Sequence, residues 1–110
     1  MKTINTFALA LILICGSGCA TAQKGAMLRA HSGIEKGKYE FALRRLNEAE
    51  KYTQPTPQLM AEIAYLRGVC YAGLRNSAEA RAMFKYVVDH FPDTEFGYKA
   101  KEQLTAGVAQ

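Results

Sequence analysis

Apolar residues recur at steps of three and four along most of this sequence, the spacing that places them on one face of an α-helix. Gly37, Pro55, Pro57 and Pro92 interrupt these stripes, and glycine and proline are the residues that most often end helices. No segment alternates apolar and polar residues, and no Asn-Gly or Asp-Gly hairpin turn occurs. The pattern therefore predicts an all-α fold.

The stripes and their interruptions divide the chain into five predicted helices. They span 27–36, 39–52, 57–74, 77–90 and a last segment that begins after Asp93 or Thr94. Thr56 before Pro57, and Asn76 three residues before Glu79, are typical of helix starts, because their side chains can accept from free backbone N–H groups. The residues expected to form the core are Tyr39, Ala42, Leu46, Ala49, Leu59, Ile63, Leu66, Cys70, Leu74, Ala80, Phe84, Val87, Phe91, Phe96, Ala100 and Leu104.

A spacing pattern in the second half of the chain resembles a known repeat. Gly68, Tyr71, Ala80, Phe84 and Pro92 follow one another at the intervals found in the tetratricopeptide repeat, a helical hairpin of about 34 residues. The resemblance implies that Gly68 and Ala80 lie where two helices approach closely. It also implies that Tyr71 and Phe84 fill the space between hairpins.

A weaker copy of the same pattern lies 38 residues earlier. Ala30, Ala42 and Leu46 stand at the positions of Gly68, Ala80 and Phe84. The resemblance therefore implies two such hairpins and a C-terminal capping helix, a short α-solenoid over residues 26–108. The segment 91–96, aromatic-Pro-Asp-Thr, is also similar to the periplasmic class that includes the β-barrel assembly lipoprotein and the Tol–Pal-associated repeat protein.

The first eighteen residues are typical of an export signal. Lys2 precedes a continuous apolar run from Phe7 to Ile14, which is too short to span a bilayer as a helix but fits a signal peptide. Gly16-Ser17-Gly18-Cys19 follows at once. A plain secretory signal with a chance cysteine is the alternative interpretation.

The segment that ends in Cys19 resembles the lipobox of bacterial lipoproteins. The resemblance implies that residues 1–18 are removed and that Cys19 becomes a lipidated N-terminus. Ala20 stands where many inner-membrane lipoproteins have Asp, so the implied location is the periplasmic face of the outer membrane. Residues 19–25 are small and polar, and we expect them to form a tether.

Side chains capable of chemistry are few and scattered. His31 and Glu35 have a spacing that two metal ligands on one helix could share, but one such pair lacks further ligands, and we predict no metal and no cofactor. Cys70 lies within an apolar stripe, which favours a buried structural role. The net charge of +4 is spread along the chain, so no nucleic-acid site is predicted. Near the anchor, Arg44 and its basic neighbours could contact anionic lipid.

These features favour a non-catalytic scaffold that binds a peptide or protein partner in the envelope. A subunit of an envelope assembly or barrel-insertion complex is an alternative, and a cell-wall enzyme or enzyme accessory is an alternative of another class. Self-association also remains open, because two repeats are fewer than a stable stack normally needs. The repeat resemblance implies a groove lined by Met27, His31, Ile34, Glu62, Tyr65, Val69 and Ala72, with Tyr65 as an exposed anchor.

Overall fold

The computed structural model describes residues 20–52 and 55–107, and within them it is all-helical. The five helices are α1 (20–35), α2 (Tyr39–Tyr52), α3 (Pro57–Gly73), α4 (Ser77–His90) and α5 (Glu95–Thr105). The predicted all-α class is therefore confirmed.

Helix α1 is longer than the sequence pattern predicted. The expected start was Met27, but the chain is already helical at residue 20, so residues 20–25, expected as a tether, belong to α1. This segment contains alanine and lysine and no proline, which suits a helix. The Gln23 side chain also donates to the Ala49 carbonyl of α2 at 3.1 Å, which ties this part of α1 to the domain.

Helices α3, α4 and α5 begin at caps that the sequence predicted. The Thr56 hydroxyl accepts from the Leu59 amide at 3.2 Å, and the Asn76 side chain accepts from the Glu79 amide at 3.5 Å. Of the two candidates before α5, Thr94 is the cap, accepting from the Gly97 amide at 3.0 Å. These side chains satisfy amide groups that the first helical turn leaves without partners.

The α1–α2 and α3–α4 turns have the same backbone hydrogen bonds, displaced by 38 residues. In the first turn the Gly37 amide donates to Ile34 and the Lys38 amide to Gly33; in the second, Arg75 donates to Ala72 and Asn76 to Tyr71. Gly37 and Arg75 both adopt left-handed backbone, with φ of 71° and 60°. The period read from the sequence is therefore present in the structure of these turns.

Two apolar clusters form the core, and α3 contributes to both. The first joins α1, α2 and one face of α3, including Ile63, Leu66 and Cys70. The second joins α4, α5 and the opposite face of α3, which carries Ala61 and Ala64. Most predicted core residues are buried in these clusters: Ala42, Leu46, Ala49, Ile63, Leu66, Cys70, Ala80, Phe84, Val87 and Ala100. Five others are only partly buried against them: Tyr39 and Leu59 on the first cluster, and Phe91, Phe96 and Leu104 on the second.

Leu74 is the predicted core residue that the structure places elsewhere. It follows the last residue of α3 as its C-cap, and it is 40% exposed. The predicted helix ended at Leu74, one residue beyond the end of α3 at Gly73. At Leu74 the chain leaves the helix and turns back through Arg75, whose backbone is left-handed. The apolar stripe of α3 therefore ends at Cys70.

The predicted close approach at Gly68 is present between α3 and α4. A methyl group added at Gly68 would lie 2.7–2.9 Å from the fully buried ring of Phe84, closer than carbon atoms can pack. Glycine here lets the aromatic ring lie directly on the α3 backbone. Tyr71 is partly buried beside the same cluster.

Each helix of the described residues packs against its neighbours in a stack. Helix α3 contacts α2 on one side, α4 on the other, and α5, the next but one along the chain. Arg67 of α3 reinforces the junction with α2, donating to Glu50 at 2.6 Å and to Asn47 at 2.7 Å. This arrangement is compatible with a short helical-repeat solenoid, and the exact tetratricopeptide geometry stays a prediction.

Candidate functional site

An open groove runs between α1 and the start of α3. Its volume is about 530 Å³. It lies between the first helices of the two hairpins, which is where the repeat resemblance placed a binding surface. The residues that line it are Gln23, Lys24, Met27, Leu28, His31, Thr56, Leu59 and Glu62.

The floor and one rim of the groove are apolar. Met27 is 8% exposed and belongs to the first core cluster, and Leu59 is partly buried against the same cluster. Leu28 lies on the rim and is 71% exposed. An apolar ligand would therefore meet a fixed floor at Met27 and Leu59 and a freely accessible side chain at Leu28.

A polar pair spans the groove from α1 to α3. Nε2 of His31 lies 2.9 Å from Oε1 of Glu62, and both side chains are partly exposed. His31 therefore pairs with Glu62 rather than with Glu35, the residue considered as its partner in a metal site. Among the described residues, no group of three or more His, Cys, Asp or Glu side chains is placed to hold a metal ion.

Three of the seven predicted groove residues line this groove, namely Met27, His31 and Glu62. The other four lie elsewhere. Ile34 packs against the first core cluster, and Val69 and Ala72 pack against the second. Helical spacing does not show how much of a helix face a neighbouring helix covers, and neighbouring helices cover much of the predicted face here.

Tyr65 is partly buried against the core, so the prediction that it is an exposed anchor was wrong. Its ring lies 5.5 Å from the ring of Phe84 and 5.7 Å from that of Phe96, centroid to centroid. It packs against both apolar clusters. The physical reason is that α4 and α5 both pack against α3 and bring Phe84 and Phe96 against the Tyr65 ring.

Five groove residues were missed by sequence reasoning: Gln23, Lys24, Leu28, Thr56 and Leu59. Lys24, Leu28 and His31 follow one another at steps of four and three residues, so they lie on the same side of α1. The predicted helix began at Met27, which left Lys24 outside it, whereas Leu28 lay inside it and the spacing alone would have indicated its face. The sequence predicts a cap at Thr56 and a core position at Leu59, and neither prediction points to a groove.

His90 and Cys70 have surroundings that suit a structural role and not a catalytic one. His90 Nδ1 lies 3.0 Å from the Tyr86 carbonyl, and its ring stacks on the Tyr86 ring with centroids 4.3 Å apart. Burial raises the pKa of the Cys70 thiol to about 11, so the thiol is neutral near pH 7 and a poor nucleophile. Neither residue lines the groove.

Cys19, the predicted lipidation site, lies outside the described residues, as do residues 1–18. No helix among residues 20–52 and 55–107 has the length and apolar character needed to cross a bilayer. No protein-family model, curated protein or solved structure matches this chain.

Proposed function

We propose that this protein is a lipid-anchored, non-catalytic scaffold that binds an apolar segment of another envelope protein in the groove between α1 and α3. The observation that carries the proposal is the groove itself, whose open volume of about 530 Å³ is lined by both hairpins. The sequence Gly16-Ser17-Gly18-Cys19 supports the anchor, on the outer membrane and facing the periplasm.

The apolar floor indicates what kind of segment would bind. An exposed leucine is ordinary on a protein surface, but Leu28 adjoins Met27 and Leu59 in one concave surface. Concave, mostly apolar surfaces with a few polar groups are typical binding sites. A helix or an extended strand with apolar side chains on one face suits this shape.

The charges around the groove add a preference for an acidic residue in the partner. His31 and Glu62 pair with each other. Lys24 also lines the groove, and it takes no part in the ion pairs found among the described residues. A partner segment with a carboxylate near its apolar residues could therefore pair with Lys24.

Site-specific photocrosslinking tests the groove directly. A photoreactive residue placed at Leu28, in the full-length protein in cells, should give one discrete adduct. The matched control is Tyr98 on α5, which is 62% exposed and lies outside the groove. The peptide identified from the adduct by mass spectrometry is then synthesised, and its binding to purified protein is measured.

The outcomes separate the proposal from its alternatives. Leu28→Glu should abolish binding of that peptide, whereas Tyr98→Glu should leave it unchanged. Adducts of equal yield at both positions, or peptide binding that Leu28→Glu does not change, would contradict the groove. Turnover of peptidoglycan fragments by the purified protein would instead support a cell-wall enzyme.

A further inference from the structure

A second, smaller pocket lies between the end of α1 and the start of α2. Its volume is about 180 Å³, and its lining consists of Arg29, Ser32, Gly33, Lys36, Lys38 and Phe41. Half of these residues are cations, one offers a hydroxyl group, and no carboxylate is among them. The spacing of Arg29, Gly33 and Lys36 puts the pocket on the other side of α1 from the groove at Lys24 and Leu28.

Glu48, the carboxylate that pairs with Arg29, does not neutralise all of this positive charge. Glu48 lies 2.6 Å from Arg45 and 3.6 Å from Arg29. A hydrogen bond from the Tyr52 hydroxyl keeps the pKa of Glu48 below its ordinary value, with help from both arginines. One carboxylate is thus shared by two guanidinium groups, and within the described chain Lys36 and Lys38 form no ion pair.

Helix stability accounts for only part of this cluster. Lys36 follows the C-terminal end of α1, where a cation is favourable, but the effect falls off within the last turn and does not reach Arg29. Lys38 directly precedes α2, at the end of that helix where a positive charge is unfavourable. The three cations around this one pocket therefore produce a positive potential that would attract an anion.

We propose that this pocket binds a phosphate ester, with the Arg29 guanidinium and the Lys36 and Lys38 ammonium groups neutralising its charge and the Ser32 hydroxyl donating to a phosphate oxygen. Charge-assisted hydrogen bonds of this kind are the usual means of holding phosphate. Phe41 forms one wall, and Arg45 lies 5.3 Å from the centroid of its ring. The site is independent of the partner groove.

A phosphate ester could reach the pocket from two sources. One is a soluble phosphate compound, and the other is the headgroup of an anionic lipid. Arg29 lies nine residues after the first described residue of α1, about 14 Å along the helix axis. If Cys19 is the anchor, α1 must lie along the membrane surface for a headgroup to enter the pocket.

Amide chemical shifts in the full-length protein, held in micelles of a neutral detergent, can distinguish these sources. One titration adds glycerol 3-phosphate, and the other adds phosphatidylglycerol to the micelles. We expect saturable shifts of the Ser32 and Gly33 amides in at least one titration. The Lys36→Gln, Lys38→Gln double variant should weaken the response about 10- to 30-fold at low salt, since each cation near an anionic surface contributes about fivefold.

The matched control carries Lys85→Gln and Lys101→Gln, which remove two exposed lysines outside the pocket. It should titrate like the unchanged protein. Saturation by glycerol 3-phosphate assigns the site to a soluble ligand, and saturation by phosphatidylglycerol alone assigns it to a headgroup. No saturable shift in either titration, or an equal loss in both double variants, would overturn the proposal.

Discussion

Replacing Arg75 by glycine should stabilise the domain, because the backbone there has the conformation that glycine prefers. Its φ of 60° costs a residue with a side chain roughly 1–2 kcal/mol. Glycine would lose roughly 0.5–1 kcal/mol of that gain through the greater freedom of the unfolded chain. The side chain is exposed, and the hydrogen bond from the Arg75 amide to the Ala72 carbonyl does not depend on it.

The difference between these two effects spans about 0–1.5 kcal/mol in the free energy of unfolding, and its central value of about 0.75 kcal/mol raises Tm by roughly 3–6 °C for a domain of this size. Urea unfolding followed by far-ultraviolet circular dichroism measures it, and the dependence on urea should keep its slope because the surface exposed on unfolding does not change. Gly37 offers the reciprocal test, since it occupies the same place in the first turn with a φ of 71°.

Gly37→Arg should lower the free energy of unfolding by a similar amount. A further variant, Arg75→Ala, separates backbone conformation from charge, since alanine removes the guanidinium but keeps the left-handed penalty. Equal stabilisation by Arg75→Ala and Arg75→Gly would contradict this explanation. An unchanged Tm in both Arg75→Gly and Gly37→Arg would contradict it as well.

Four other substitutions or treatments have defined outcomes. Phe84→Ala should lower the free energy of unfolding by about 3–5 kcal/mol, measured by urea unfolding, because its ring is fully buried. Tyr65→Ala should lower it by about 2–3 kcal/mol, since Tyr65 packs on Phe84 and Phe96; unchanged stability would restore it as a surface anchor. The Cys70 thiol should resist alkylation at pH 8 until the protein is denatured, as read by peptide mass spectrometry. Because its pKa is raised from 9.0 to about 11, the unfolded thiol ionises first, and stability should fall as pH rises through this interval. Cys19→Ala should leave the protein uncleaved or released from the membrane, and continued fractionation with outer membranes in processed form would contradict the anchor.

The parts of the fold that depend on local sequence could be predicted closely. Thr56, Asn76 and Thr94 cap helices because their side chains reach amides only three residues away. The apolar stripe that contains Leu46 is buried, because an amphipathic helix packs its apolar face against the rest of the domain. Such features require no knowledge of how the helices are arranged.

The parts that depend on neighbouring helices could not be predicted in the same way. Tyr65 has the spacing of a groove residue, and the packing of Phe84 from α4 and Phe96 from α5 partly buries it. Leu28 lay within the predicted first helix, and only the position of the start of α3 beside α1 makes it a groove residue. The left-handed backbone at position 75 is not evident from the residue type, because the residue there is arginine and not glycine. Its equivalent 38 residues earlier is Gly37, and that comparison would have indicated the conformation.

The two-sided burial of α3 has a consequence for fragments of this protein. A chain cut after Gly73 would keep Ile63, Leu66 and Cys70 covered by α1 and α2, but it would expose the opposite side of α3 at Ala61 and Ala64. An α4–α5 hairpin from another copy could occupy that exposed side by domain swapping. The stability of a repeat array depends on contacts between neighbouring units, and here loss of α4 and α5 would leave an exposed apolar surface on α3 that promotes association.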